Sequence, residues 1–585
     1  MDEHIISAAT RENWNRLNID ESDIENRLSK RANKRLSKRN IIPVEYFSDI
    51  GNITILNSIL EYVEKNNLSV FEVIYNLALN YLSSVGLLKV QAERTITTNK
   101  YIEEILQSFN HLEIYSFLQD IEYPRGEKDF LGIVYQSLMK EGIKNKKGSY
   151  YTPERIISSF KSINADETFL DPCCGTGSFI LSVADKIQNP KNIYGCDLDD
   201  IAVFIAKINL IVKFKNIEFS PNIYNMDFLL NNEIPQNYFD IIATNPPWGA
   251  MPKCDYSNNF SFIKSNETFS FFIANSYKYL KNTGKAFFVL PVSILSVKAH
   301  SDIRRFILDN FSIQEIICYG RIFDSVLSDV VSLELSKSKG NDIVHIKTSS
   351  LESKISIDIY KNNVNNVFSL YGEQDFNILN KIYSNSYETL KNSLWGLGIV
   401  TGNNKKFITK SNSENLEKIY SGKNLSKYFI SDTDNFIDYQ RNSFQQVAPD
   451  FIYDAEEKLV YKFVSKKLVF AYDNQKRLFL NSSNILIPKI KTHSIKTVLA
   501  FLNSKLFQYI HYVKFNELKV LKSNLLQLPF LLLSDADKKQ VESFVEDYIK
   551  LKDKDILQKI DNYIFNLFKL TEDEILYIEN RLTKV

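Results

Sequence analysis

The feature that most constrains the fold of this 585-residue chain is an alternation of strand-like and helix-like segments between Thr168 and about Leu335. Short apolar runs rich in β-branched residues alternate with longer stretches that have helical periodicity. Successive strand–helix–strand units build a parallel sheet with helices on both faces. We therefore expect an α/β fold with a doubly wound, mostly parallel sheet.

A glycine-containing loop follows the first of these strands. Residues 168–180 read Thr-Phe-Leu-Asp-Pro-Cys-Cys-Gly-Thr-Gly-Ser-Phe-Ile, so an apolar strand ends in Asp171 and a helix begins near Ser178. Gly175 and Gly177 let the backbone approach a ligand closely, and the helix start presents free N–H groups. The third glycine of a pyrophosphate-binding loop is absent. The leading carboxylate instead suits a ligand that carries a sulfonium and an amino group.

Two later strand-like segments also end in carboxylates. The segment 193–199 contains Asp197, at a place where doubly wound folds accept hydrogen bonds from ribose hydroxyls. The segment 223–228 ends in Asp227 and Phe228, which offer an acceptor and an apolar face to an adenine ring. Because ligands bind such sheets at the carboxyl ends of the strands, we expect these loops to form one site.

The fourth strand is followed by Asn245, Pro246, Pro247 and Trp248. These residues suit methyl transfer to an exocyclic amine, whose lone pair is delocalised into its ring. The Asn245 side-chain carbonyl and the Pro246 main-chain carbonyl can accept hydrogen bonds from the two N–H groups of the amine. They would thereby stabilise the positive charge that develops on its nitrogen during attack. Both residues precede a proline, which stiffens the backbone, and Trp248 offers a face for stacking. The alternative is that Asn-Pro-Pro is only a rigid turn after a buried strand.

With these loops in this order, the chain resembles the gamma class of N6-adenine DNA methyltransferases from restriction-modification systems. Residues 147–153, Lys-Gly-Ser-Tyr-Tyr-Thr-Pro, resemble the segment that closes over the methionine end of S-adenosylmethionine in this class. Residues 284–291 resemble the later strand that ends in a proline. Residues 321–324, followed by an apolar run at 330–335, resemble the segment whose aromatic side chain covers the other face of the flipped base.

The resemblance implies a Rossmann-like methyltransferase sheet and a role for each matching residue. Asn245, Pro246, Pro247 and Trp248 would be catalytic, and Phe323 would stack on the base opposite Trp248. No metal is implied. The implied contacts to S-adenosylmethionine are Tyr151, Thr152, Pro153, Asp171, Pro172, Cys173, Gly175, Gly177, Asp197, Leu198, Asp227, Phe228 and Asn245. The chain departs from the family in carrying Cys173-Cys174 in place of Ala-Cys and Asp197 where many members have Glu.

Three regions are predicted along the chain: a helical region over 1–125, the catalytic domain over 126–340, and a target-recognition domain with C-terminal helices over 341–585. The last is expected to be α+β and resembles the TaqI-like specificity domain, which would read base edges that the catalytic sheet does not contact. The alternative is a structural or oligomerisation domain. A cationic helix face over 27–39 either tracks phosphates or is simply solvated.

Composition restricts the partners and the compartment. Lys plus Arg number 71 against 70 acidic residues, so any DNA-binding surface must be local. The five cysteines form no Cys-x-x-Cys pair, which favours a reduced cytoplasmic protein. Cys173 and Cys174 are expected to be packing residues rather than nucleophiles. The start Met-Asp-Glu-His lacks a signal-peptide layout, and no apolar run approaches the ~20 residues needed to cross a bilayer.

The predicted function is site-specific methylation of the N6 amine of a flipped adenine in double-stranded DNA, with S-adenosylmethionine as donor. The predicted partners are DNA and a companion restriction endonuclease on a separate chain, with no membrane. Three rival functions use related chemistry or parts. An RNA or protein-glutamine methyltransferase also has to activate a planar nitrogen. An N4-cytosine methyltransferase uses the same chemistry but more often has Ser in place of Asn245. A subunit that only recognises DNA would not need the Asn-Pro-Pro-Trp segment.

Overall fold

The computed structural model of the protein describes residues 47, 49–91, 94–109, 111–124, 126–139, 152–160, 163–230, 233–249, 256, 259–265, 267–322, 328–340, 342–349, 351–411, 413–515 and 519–583. It forms two compact units, one ending at Leu370 and the other beginning at Tyr371. The cationic segment 27–39, Tyr151 and Phe323 lie outside the described residues. Within the described residues, no helix is long and apolar enough to span a membrane.

The first unit combines helices with eleven described strands. The helices cover Ile53–Asn66, Val70–Ser84, Lys100–Gln107, Ser116–Gln119, Phe130–Leu138, Glu154–Ile157, Ser178–Val183, Asp200–Lys213, Thr268–Tyr279, Ser293–Ser296, Ser301–Asn310 and Ile357–Asn362. The strands are β1 (Lys89–Gln91), β2 (Arg94–Ile96), β3 (Phe169–Asp171), β4 (Ile193–Asp197), β5 (Asn222–Asn225), β6 (Phe239–Thr244), β7 (Leu280–Pro291), β8 (Ser312–Gly320), β9 (Val330–Ser336), β10 (Ile343–Lys347) and β11 (Glu352–Ser356).

Nine of these strands form one sheet in the order β11-β10-β8-β9-β7-β6-β3-β4-β5. The run β7-β6-β3-β4-β5 is parallel throughout, whereas β9 is antiparallel to both of its neighbours. The predicted α/β class and mostly parallel sheet are therefore confirmed. From β3 the chain proceeds outward through β4 and β5, then returns to the other side of β3 as β6. Ligand sites of open α/β sheets lie at such a reversal, and here it places the ends of β3 and β6 side by side.

The N-terminal helices share a hydrophobic core with the sheet. The helix Val70–Ser84 begins with a capping box, in which Ser69 and Glu72 satisfy each other's backbone N–H groups. Its buried face belongs to the same core cluster as the helix Asp200–Lys213. The hairpin of β1 and β2 departs from the all-helical prediction for this region. Alternating polar and apolar residues at 89–91 favour a strand over a helix there.

The predicted end of the catalytic region at residue 340 is wrong, because the sheet continues past it. Strand β10 pairs in parallel with β8, and β11 pairs antiparallel with β10. Val344, Ile346 and Ile355 are buried on one face of these edge strands, while His345 and Lys354 on the other are exposed. One buried face is sufficient to dock a strand pair at a sheet edge, although the local composition had suggested a new domain.

The second unit is α+β, as predicted. Its strands are β12 (Tyr387–Glu388), β13 (Leu394–Leu397), β14 (Ile408–Thr409), β15 (Glu417–Tyr420), β16 (Phe436–Ile437), β17 (Lys458–Lys462), β18 (Phe470–Asp473), β19 (Leu478–Phe479), β20 (Ser483–Ile487) and β21 (Phe530–Leu531). Its helices are Glu373–Tyr383, Asn404–Phe407, Asp450–Tyr453, Ile495–Asn503, Lys505–Lys514, Lys522–Leu525, Asp535–Leu551, Lys554–Leu567 and Glu572–Leu582. Two four-stranded sheets form, in the orders β13-β20-β17-β18 and β14-β16-β15-β19. The last three helices carry the amphipathic pattern that predicted them.

Candidate active site

A cavity of about 670 Å³, measured with its open mouth, lies at the carboxyl ends of β3, β4 and β6. Seven of the predicted site residues line it: Thr152, Asp171, Cys173, Gly175, Asp197, Asn245 and Pro247. Residues from three strand ends and from the segment before the sheet therefore meet around one space, as the order of the loops predicted.

Three carboxylates line the cavity, those of Asp171, Asp197 and Asp199. Asp171 is 1% exposed, and burial raises the pKa of its carboxyl to about 7, with the nearby Asp197 charge adding to the rise. Burial also raises the pKa of Asp197, against the opposing effect of hydrogen bonds from the Asp199 and Gly175 amides. The neighbouring charges with the largest effect are other carboxylates, Asp197 on the pKa of Asp171 and Asp199 on the pKa of Asp197. A cationic ligand would oppose this effect.

The glycine loop requires its glycines and is held by the next strand. Gly175 and Gly177 have φ of +52° and +97°, which side chains disfavour. The amide of Gly175 donates to Asp197 Oδ2 at 2.9 Å, and the amide of Cys173 donates to Asp171 Oδ1 at 3.1 Å. Both carboxylates thus fix the loop that they flank, in addition to facing the cavity.

Asn245 directly follows β6 and lines the cavity from the side opposite β4. Its Nδ2 donates to the Oγ1 of Thr152 at 3.1 Å. Thr152 is 5% exposed and also lines the cavity. The segment before the glycine loop therefore reaches the Asn-Pro-Pro-Trp segment across 93 positions of sequence.

The side chains of Pro246 and Trp248 are buried, in contrast to those of Asn245 and Pro247. Trp248 is only 8% exposed, and its Nε1 donates to the main-chain oxygen of Val289 on β7 at 3.2 Å. The ring belongs to the hydrophobic core of the unit. The face that was predicted to be open on Trp248 is thus covered in this conformation. The cause is β7, which lies beside β6, the strand that leads to Trp248.

The third strand end differs from its predicted role. The ring of Phe228 is 2% exposed and packs against Phe272 and Tyr279, so the prediction that it presents a face to adenine is wrong for this conformation. Asp227 accepts from the hydroxyl of Tyr256 at 2.9 Å and does not line the cavity. Of the remaining predicted contacts, Pro153, Pro172, Gly177 and Leu198 adjoin cavity residues in sequence without lining the cavity themselves.

Sequence reasoning missed one complete wall of the cavity. Tyr135, Gln136 and Met139 line it from the helix Phe130–Leu138 and its end, and the Tyr135 hydroxyl donates to Asp199 Oδ2 at 2.7 Å. No predicted site residue lies on that helix. Asp129, directly before an apolar run, was the available signal of a helix start.

A buried polar network supports the glycine loop from behind. Asp129, the N-cap of the helix Phe130–Leu138, accepts from Thr176 Oγ1 at 2.5 Å and from Asn209 Nδ2 at 2.8 Å. Asn209 also donates to the main-chain oxygen of Thr176 at 3.2 Å. A buried carboxylate that is fully hydrogen-bonded positions its partners strongly. The loop is therefore tied to two helices, one that precedes it and one that follows it in the sequence.

Cys174 of the loop is a packing residue, whereas Cys173 is only half-buried, and both line the cavity. Cys174 is 5% exposed and belongs to the core, and burial raises the pKa of both the Cys173 and the Cys174 thiol. The neighbouring carboxylate charges add to this rise. A thiol held neutral is a weak nucleophile, in agreement with the prediction.

Comparison with known proteins gives matches over both units. The family model for the N-6 DNA methylases matches residues 126–389, and the model for the TaqI-like C-terminal specificity domain matches residues 417–530. The type II methyltransferase M.VspI of Vibrio sp. (strain 343) is 30% identical over 317 residues, which are 52% of this chain and 76% of that protein.

Two further matches are partial or structural. The type I restriction enzyme MjaVII methylase subunit of Methanocaldococcus jannaschii is 30% identical over 156 residues, only 25% of each chain. The type IIL restriction-modification enzyme MmeI, solved in complex with DNA, has a TM-score of 0.60 at 13% identity over 98% of both chains, a likeness of fold. The chain belongs to the N-6 DNA methylases of restriction-modification systems, and it carries a TaqI-like C-terminal specificity domain.

Proposed function

We propose that this DNA methyltransferase transfers a methyl group from S-adenosylmethionine to the N6 amine of a flipped adenine in double-stranded DNA. The observation that carries the proposal is the position of Asn245, which lies directly before two prolines and lines the same cavity as the buried Asp171 and the half-buried Asp197. An acceptor for an amine and a site for a cationic ligand are thereby adjacent.

The cavity residues fit this donor. S-adenosylmethionine supplies a methyl group bound to a positively charged sulfur. Asp171 would face the positively charged amino group of the donor's amino-acid end. The pKa of its carboxyl is about 7 without a ligand, so a nearby cation would stabilise the ionised form. Asp197 keeps lone pairs for ribose hydroxyls beyond those used by the Gly175 and Asp199 amides.

Asn245 and Pro246 would prepare the amine for attack. The Asn245 Oδ1 and the Pro246 main-chain oxygen would accept hydrogen bonds from its two N–H groups and stabilise the positive charge that develops on nitrogen. The nitrogen forms a bond to the methyl carbon as the sulfur–carbon bond breaks, and sulfur keeps that electron pair. The methylated ammonium then loses a proton to water. No covalent link to the protein forms.

The adenine must leave the duplex to reach this site, at a cost of a few kcal/mol. Stacking on aromatic side chains returns ~1–3 kcal/mol per base, enough to offset much of that cost. Trp248 and Phe323 stay the candidates for the two faces. Since Trp248 is 8% exposed, base capture would need the residues over its ring to move, while the hydrogen bond to Val289 holds its plane.

The second unit would supply recognition of the DNA sequence. Its match to the TaqI-like specificity domain supports this role, as does the fold likeness to MmeI, which was solved with DNA. The net charge of +1 means that phosphate contacts must come from local clusters. We further propose a companion restriction endonuclease on a separate chain, since the relatives are restriction-modification enzymes.

Nucleoside analysis tests the proposal. The purified protein is incubated with S-adenosylmethionine and mixed-sequence duplex DNA, which is then digested and analysed by mass spectrometry. We expect N6-methyladenine with the wild type and none with Asn245→Ala. Asn245→Ala should still bind the donor within about threefold of the wild type, because the other residues assigned to the donor, Asp171 and Asp197 among them, are unchanged. N4-methylcytosine alone, or methylation of RNA or of a release factor with none in DNA, would contradict the proposal.

A further inference from the structure

The hydrogen bond between Thr152 and Asn245 has a directional consequence. The Asn245 side chain ends in a planar amide with one accepting oxygen and one donating nitrogen. Nδ2 donates to Thr152 Oγ1 at 3.1 Å, so Oδ1 lies at the end of the amide away from Thr152. Only this orientation offers an acceptor to an amine, because the rotated amide would set N–H against N–H.

Thr152 is placed to determine that orientation. It is 5% exposed, and it directly precedes Pro153. Pro153 is the N-cap of the helix Glu154–Ile157 and has an extended backbone, with φ of −60° and ψ of 145°. A residue before proline is confined to few backbone conformations. A β-branched side chain at a buried position also has few rotamers. The hydroxyl is therefore held at one place relative to the end of β6.

A threonine hydroxyl can donate a hydrogen bond as well as accept one. Which end of the Asn245 amide faces Thr152 therefore depends on where the hydroxyl proton points. The hydroxyl has one proton and two lone pairs. If the proton is given to an acceptor in the cavity, such as the carboxylate of the donor's amino-acid end, Oγ1 can only accept from Asn245. Thr152 lines the cavity that such a ligand would occupy. Occupancy of the cavity would then stabilise the amide in the productive orientation.

We propose that Thr152 is a positioning residue that turns the Asn245 amide so that its oxygen faces the target amine. The inference rests on the proposed function, because it gives Asn245 the role of acceptor. Thr152 does not touch the reacting atoms. Its contribution is to orientation, and it therefore acts on turnover at saturating donor rather than only on donor affinity.

The first test compares Thr152→Val with Thr152→Ser under saturating S-adenosylmethionine and DNA. Valine keeps the shape and removes the hydroxyl, whereas serine keeps the hydroxyl. We expect kcat to fall about ten- to hundredfold in T152V, the cost of one misoriented hydrogen bond to a developing charge, and to recover in T152S to within about threefold. The matched control is Thr168→Val, which removes a buried hydroxyl at the opposite end of β3, and its kcat should equal that of the wild type.

A double-mutant cycle gives a readout that a merely structural role would not affect. Aspartate has two equivalent oxygens, so Asn245→Asp presents an acceptor in either orientation. In single-turnover assays, T152V should therefore reduce the rate less in the N245D background than in the wild type. If T152V fails to fold by its melting curve, Thr152→Ala is compared with T152S by the same criterion.

The outcomes separate the two proposals. A wild-type protein that forms no N6-methyladenine overturns the proposed function itself. An active wild type with unchanged kcat in T152V overturns the role of Thr152 alone. A kcat that falls equally in T152V and T152S, or equally in both Asn245 backgrounds, also overturns it, since the loss would then come from packing.

Discussion

Affinity for the methyl donor should fall below neutral pH, and Asp171 should account for most of the fall. Burial raises the pKa of this carboxyl to about 7, and the Asp197 charge contributes. A cationic ligand binds the ionised form, so binding at lower pH must first remove a proton. The direction follows from linkage: a ligand that prefers the ionised state binds more weakly as protons compete with it.

The magnitude follows from the pKa. If the bound carboxyl titrates well below pH 5, the dissociation constant grows by a factor of one plus the ratio of protonated to ionised Asp171 in the unliganded protein. Relative to pH 8 and above, the donor should bind about tenfold more weakly at pH 6 and about a hundredfold more weakly at pH 5. Each tenfold step corresponds to about 1.4 kcal/mol of binding free energy.

Isothermal titration calorimetry of S-adenosylmethionine between pH 5 and pH 8 measures this dependence directly. Asp171→Asn is the matched control, because asparagine can still accept from the Cys173 amide but does not titrate. The two proteins should bind about equally at pH 5 and differ most at pH 8. Any slope that survives in Asp171→Asn belongs to the ligand or to Asp197, whose pKa is also raised by burial. Parallel curves for the two proteins would refute the reasoning.

Two further predictions concern the neighbouring strand ends. Asp197→Asn should weaken donor binding about tenfold or more, because the Gly175 amide and a ribose hydroxyl share this carboxylate; unchanged affinity in calorimetry would remove the ribose contact. Trp248→Ala should lower the free energy of unfolding by about 3–5 kcal/mol, since it empties a buried site, and should also reduce 2-aminopurine fluorescence at the target base. Trp248→Phe keeps a ring and should retain most of that signal, so loss of signal in both variants would argue against stacking.

The central part of the site could be predicted because it depends on strand ends. Asp171 and Asn245 each follow an apolar strand, and the reversal of strand order after β5 sets β3 beside β6. The alternating pattern therefore predicted that distant loops would meet. Gly175 and Gly177 could be assigned to a tight loop because glycine readily adopts positive φ. Both residues do have positive φ in the structure.

The environment of the aromatic residues could not be predicted in the same way. Phe228 follows a strand and precedes a loop, which suggested a surface position, yet Phe272 and Tyr279 from a helix more than forty positions later cover its ring. Trp248 is covered for a similar reason. The burial of a large apolar side chain depends on which distant element packs over it, and local periodicity does not contain that information.

The wall formed by Tyr135, Gln136 and Met139 was missed for a different reason. The predicted site was built from strand ends and from the segment just before the glycine loop, so the helix that carries this wall was not assigned to it. The core of the N-terminal helices is continuous with the core of the sheet. Asp129, at the start of that helix, accepts hydrogen bonds from Thr176 and Asn209, 47 and 80 positions away, and so connects the helix with the glycine loop. Such contacts require a knowledge of the tertiary arrangement.

A crystal structure of the protein with S-adenosylhomocysteine and duplex DNA that contains its site would test the central claim most directly. The account predicts an adenine outside the duplex, with its amine about 3 Å from both Asn245 Oδ1 and the Pro246 main-chain oxygen, and with the sulfur on the far side of the space left for the methyl group. An amine bound elsewhere, or an Asn245 side chain turned away from that sulfur, would contradict it.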